Sequence, residues 1–119
     1  MYSERLLEHF QNPRNVGDLP PPAVTVEVTN PACGDILRLS VRMEDNRITT
    51  VAYKVRGCTA SIAAGSALTT LIGGMQLDDA ALLRPADVEA ALGGLPAESR
   101  HAAVLCCDAL KALRRVLGH

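Results

Sequence analysis

Apolar and polar residues alternate with a period of two over V-T-V-E-V-T at 24–29, and again where Leu37, Leu39, Val41 and Met43 interleave with Arg38, Ser40 and Arg42. A third run, I-T-T-V-A-Y-K-V-R at 48–56, follows the turn-forming dipeptide Asp45-Asn46. Successive strand residues point to opposite faces, so this pattern predicts three half-buried strands. Their short connections predict an antiparallel meander with one face that needs cover. Ahead of them, Ser3 precedes Leu6, Leu7 and Phe10 in a short capped amphipathic helix that Asn12-Pro13 ends, and N-V-G-D-L-P-P-P at 15–22 reads as a loop. After Cys58 the period lengthens: apolar or small residues at 60, 64, 67, 68 and 71 recur at helical spacing until Gly73-Gly74 stop them. Asp78 or Asp79 caps the short apolar turn before Pro85, and a helix over 85–92 has proline at its first position and ends at Gly93-Gly94. The last helix is expected from about Ser99 to Leu117. Ala102, Leu105, Cys106, Ala109, Leu113 and Val116 lie close to one face of it, and Lys111, Arg114 and Arg115 sit where they complement its dipole. Strands followed by helices predict an α+β fold, a three-stranded antiparallel sheet with helices packed on one face.

A chain of 119 residues is expected to be a single domain, 1–119. A domain of this size buries roughly two-thirds of its unfolded surface, enough for a core without disulfide staples. That core is expected to be aliphatic, since Tyr2, Phe10 and Tyr53 are the only aromatics. The 12 basic and 13 acidic residues nearly cancel and form no basic stripe, which leaves nucleic-acid binding without an electrostatic footprint. Membrane insertion is not expected, because no apolar run approaches the ~18 residues a span requires. The N-terminus is charged from Glu4, which excludes a signal peptide's apolar core. The expectation is a cytoplasmic protein whose four cysteines are metal-binding, reactive or buried rather than disulfide-paired.

Four residues carry the candidate chemistry. In P-A-C-G-D at 31–35, Pro31 stiffens the approach and Gly34 permits a positive φ, so a sharp turn would aim Cys33 and Asp35 at one point. The same run also suits a polar turn with a buried cysteine. Cys58 follows Gly57 where a strand passes into a helix, and the helix N-terminus would favour its thiolate. Its small neighbours Thr59, Ala60, Ser61 and Ala63 leave room for a ligand but equally suit a tight helix-on-sheet contact. His101 falls in the first turn of the last helix, a position for a ligand or for an exposed cap residue, while His9 and His119 read as exposed or cap residues only. Thiolate, thiolate, carboxylate and imidazole from Cys33, Cys58, Asp35 and His101 together make a metal's ligand set. Cys106 and Cys107 are adjacent on one helix, about 100° apart, and suit neither a local disulfide nor shared ligation of one ion. Cys106 is expected in the core and Cys107 at the surface.

Several runs, in order along almost the whole chain, resemble the IscU/NifU N-terminal family of iron–sulfur cluster assembly scaffolds. They are Y-S-E at 2–4, H-F-Q-N-P-R-N-V-G at 9–17, A-C-G-D at 32–35, G-C-T-A-S-I-A-A-G-S-A-L-T at 57–69, L-P at 95–96 with His101, and D-A-L-K-A-L at 108–113. The resemblance implies a non-enzymatic scaffold with Cys33, Asp35, Cys58 and His101 gathered at one end. There a transient 2Fe-2S cluster is built from iron and from sulfur delivered by a cysteine desulfurase, then passed to apo-proteins, and Zn²⁺ binds the same pocket. It implies a monomer or weak dimer. Two departures stand out: the family's cysteine directly after the histidine is Ala102 here, and the segment its chaperone reads is L-P-A-E-S, so chaperone recognition is not carried over. The interval from Cys58 to His101 lacks the insertion of the zinc-dependent SufU branch.

A carboxylate and an imidazole among two thiolates are harder, more readily exchanged ligands than an all-cysteine cage, which suits a site that must let go. Two other classes share the residue pattern: an iron or zinc carrier that builds no cluster, and a sulfur-accepting transferase acting through Cys58 or Cys33.

Overall fold

The computed structural model describes residues 1–32 and 34–117; Cys33 and His119, both singled out above, lie outside the described residues. The elements run α1 (Glu4–Gln11), β1 (Val24–Thr29), β2 (Ile36–Glu44), β3 (Arg47–Arg56), α2 (Thr59–Ile72), α3 (Leu77–Ala81), α4 (Pro85–Ala91), a 3₁₀ turn (Ala97–Ser99) and α5 (His101–Leu117). The sheet is the expected meander, ordered β1-β2-β3 with both pairs antiparallel. Asp45 and Asn46 both take positive φ, 52° and 64°, the left-handed pair of a two-residue hairpin turn whose twist matches the strands it joins.

Register decides which face is buried. Leu37, Leu39 and Val41 on β2 and Ile48, Val51 and Tyr53 on β3 are buried, and the helices cover this face. On the outer face Glu27, Arg38 and Lys54 stand in cross-strand register, with Asp18 bridging Arg38 at 2.8 Å and Lys54 at 3.1 Å. The core is mostly aliphatic, as expected, but Tyr53 is its largest fully buried side chain. Its hydroxyl donates to the Ile62 carbonyl at 2.8 Å, and burial pushes its pKa up to about 12, so it stays neutral. The ring is admitted by Gly65, where a Cβ would stand 2.5 Å from two ring carbons.

Ser3 caps α1, accepting from the Leu6 N–H, and Asn12 ends it. The loop after it is more structured than its composition suggests. Asn15 and Gly17 exchange backbone hydrogen bonds with Tyr53 at 2.9 and 2.8 Å, laying Val16 parallel against the free edge of β3. His9 is no exposed cap residue: it is half-buried, with Nδ1 2.7 Å from the Ser66 hydroxyl of α2, and Ser66 also accepts from the Arg14 N–H at 2.9 Å.

The helices depart from expectation in five places. Helix α2 is not an amphipathic stripe: Ala60, Ser61, residues 63–69 and Ile72 are all buried, because sheet, α1, α4 and α5 enclose it on several sides, while Leu71 is only partly buried. Asp78 and Asp79 lie within the first turn of α3 rather than at its cap, which is Gln76. The last helix begins at His101, after the separate 3₁₀ turn. Cys107 is buried, not exposed, and Val116 is exposed, since the inward stripe of α5 steps from Leu113 to Leu117. No helix among the described residues is long and apolar enough to cross a membrane.

Candidate metal centre

The register Ile36↔Arg56 sets Asp35, just ahead of β2, beside Gly57, just past β3. A hydrogen-bonded loop holds this end: the Asn30 N–H donates to the Asp35 carbonyl at 2.9 Å, and the Gly34 N–H to the Asn30 carbonyl at 2.7 Å. Gly34 has φ 76°, the left-handed backbone that glycine supplies without strain. Cys58 is the N-cap of α2, and His101 opens α5, so both helices start at the same end of the sheet.

Three of the expected site residues therefore converge. Ligand atoms of Asp35, Cys58 and His101 all lie within 4.8 Å of one another. Cys58 Sγ is 3.4 Å from Asp35 Oδ2 and 3.7 Å from His101 Nε2, and that nitrogen is 3.5 Å from the same Oδ2. Donors bound at about 2.0–2.3 Å and tetrahedral angles would stand roughly 3.3–3.8 Å apart, so the cluster fits one ion with little rearrangement. The His101 Nδ1 lies 3.1 Å from the Glu98 carbonyl. A proton on Nδ1 would donate there and leave the Nε2 lone pair turned to the cluster, the arrangement metal-bound histidines use. Exposure is graded: Asp35 is buried, His101 intermediate and Cys58 exposed, so the thiol lies on the open side. The fourth expected ligand, Cys33, lies outside the described residues.

Two contributors escaped the sequence reading. Gly57 is in sequence only the neighbour of Cys58, yet a Cβ there would stand 2.6 Å from Asp35 Cγ. Ser61 fits a run of small residues, but its hydroxyl donates to Asp35 Oδ2 at 2.5 Å and lies 3.5 Å from Cys58 Sγ. The available signal was its spacing: three residues beyond an N-cap, a side chain turns back toward the helix N-terminus. Cys106 and Cys107 lie outside this cluster. Burial pushes the Cys107 thiol up to about 11 and raises that of Cys106 as well, the opposite of activation. Ala102 is buried in the core.

A small α+β domain thus brings thiol, carboxylate and imidazole together where two helices start at one end of a sheet, a donor set of the kind that suits a metal ion. Residues 1–114 match the NifU-like N-terminal domain, and the chain belongs to that family. It is 39% identical over 111 residues to the iron–sulfur cluster assembly scaffold protein IscU 1 of Archaeoglobus fulgidus, covering 93% of this chain and 72% of that one. It is 38% identical over 116 residues to the iron–sulfur cluster assembly enzyme IscU of Drosophila melanogaster, covering 94% and 75%. The crystal structure of a nitrogen-fixing NifU-like protein (N-terminal) from Brucella abortus shares the fold, with TM-score 0.63 and 23% identity over 94% of this chain and 78% of that one.

Proposed function

We propose that this chain is a scaffold on which 2Fe-2S clusters are assembled and from which they pass to apo-proteins, with Cys33, Asp35, Cys58 and His101 as ligands. The observation that carries the reading is the convergence of Asp35, Cys58 and His101 donor atoms within 4.8 Å, with the thiol on the exposed side. The family and its relatives supply the chemistry that such a cluster serves. Iron and the assembled cluster are cargo; sulfur comes from a cysteine desulfurase. The same four donors suit Zn²⁺, which takes thiolate, imidazole and carboxylate in a closed tetrahedron. The site holds and releases, and no residue is assigned a catalytic role. Mixed ligation favours release, because oxygen and imidazole donors grip iron–sulfur clusters less firmly than thiolates. The protein acts in the cytoplasm as a monomer or weak dimer, with apo-protein acceptors as its clients.

Anaerobic reconstitution with ferrous iron, cysteine, a desulfurase and a thiol reductant that takes the delivered persulfide sulfur to sulfide tests this. The expected product carries equal iron and labile sulfide and absorbs as a 2Fe-2S protein, while Cys33→Ser or Cys58→Ser each abolish stable binding. Metal uptake without sulfide would make the chain a metal carrier instead, and persulfide turnover without a cluster would make it a sulfur transferase.

A further inference from the structure

We propose that Ser61 is a positioning residue of this centre: its hydroxyl fixes the Asp35 carboxylate with Oδ2 toward Cys58 and His101, and so sets how tightly a metal is held. The inference rests on reading the Asp35–Cys58–His101 cluster as a metal centre. Ser61 is 2% exposed and Asp35 6%, so their 2.5 Å hydrogen bond is shielded from competing water. The oxygen that accepts it is the one facing the two other donors, at 3.4 Å from Cys58 Sγ and 3.5 Å from His101 Nε2. The space Asp35 occupies is open only while residue 57 lacks a Cβ, which would stand 2.6 Å from Asp35 Cγ.

An aspartate has two side-chain torsions, and a loose carboxylate must give up that freedom when it binds an ion. Ser61 removes the freedom before the metal arrives, and its place on α2, one turn in from Cys58, ties carboxylate and thiol to one rigid element. Partners of metal-bound groups commonly change affinity about 10–100-fold when lost.

The test is Zn²⁺ affinity, measured by competition with a chromophoric chelator. Ser61→Ala is expected to weaken binding by about tenfold or more, with Ser61→Thr recovering most of the loss. In the Asp35→Ala background the same Ser61→Ala change is expected to have no further effect, since the hydroxyl acts through that carboxylate. Should Ser61→Ala not fold, Ser61→Thr against Ser61→Val makes the comparison, two side chains of one shape differing by the hydroxyl. Undiminished affinity without the hydroxyl overturns the proposal, as does an equal loss in the Asp35→Ala background. A wild-type protein that binds no Zn²⁺ overturns the metal-centre reading itself.

Discussion

Gly57 and Asp35 share the end of the sheet only because residue 57 has no side chain: a Cβ there would meet the carboxyl carbon at 2.6 Å and its oxygens at 2.8 and 2.9 Å. The atoms it would strike are the tip of a side chain, so the fold can survive the substitution while the site cannot. Gly57→Ala is expected to leave thermal unfolding within a few degrees of wild type and to weaken Zn²⁺ binding by about tenfold or more, as loss of a ligand's positioning does. A calorimetric binding titration checks this; unchanged affinity would show that Asp35 binds equally well from another rotamer.

Cys106 and Cys107 are buried thiols with raised pKa values, which predicts chemical silence. Neither should react with a thiol reagent at pH 7.5 until the protein unfolds, whereas exposed Cys58 should react in the native state. Cys106→Ala is expected to cost about 1–2 kcal/mol of stability and leave metal and cluster binding intact. Loss of the cluster in that variant would mean that a thiol one turn along α5 from Ala102 serves as a ligand.

The N-terminal segment should respond to acid. Desolvation, followed by the Arg14 charge, lowers the pKa of His9, with Glu8 opposing, while Ser66 of α2 faces its ring. The unfolded chain then binds a proton at this histidine more readily than the folded one. The stabilising contribution is present above about pH 6.5 and is lost as pH falls from there through the folded-state value. Thermal unfolding followed from pH 8 to pH 5 should show falling stability, and His9→Gln should flatten the part of the slope that lies in this window. An identical slope in the variant would assign the acid sensitivity elsewhere.

Much of this is legible in the sequence alone. The alternation at Leu37, Leu39 and Val41 fixes a face, and Gly34 beside Asp35 and Gly57 before Cys58 mark the two turns that meet at the site. His101 completes a metal's ligand set by residue type, and the resemblance supports that role where position alone fits ligand and cap equally. What stayed hidden depends on neighbours distant in sequence. Asn15–Gly17 pairs with β3 through backbone atoms, which leave no side-chain signature. The burial of α2 around most of its circumference follows from how many elements pack on it, and its small residues fit either an exposed or an enclosed helix. Ser61 acquires its role only when Asp35 is brought within 2.5 Å by a strand register set elsewhere.

A scaffold must hold its cluster loosely enough to give it away. The most direct measurement is the time course of transfer from cluster-loaded protein to an apo-protein whose own site has four thiolates, run anaerobically with an iron chelator present. The acceptor is expected to gain its cluster intact, faster than from the same iron and sulfide supplied free, and with the chelator capturing little of the iron. A donor that keeps its cluster, or an acceptor that fills only when the chelator is omitted, would contradict it.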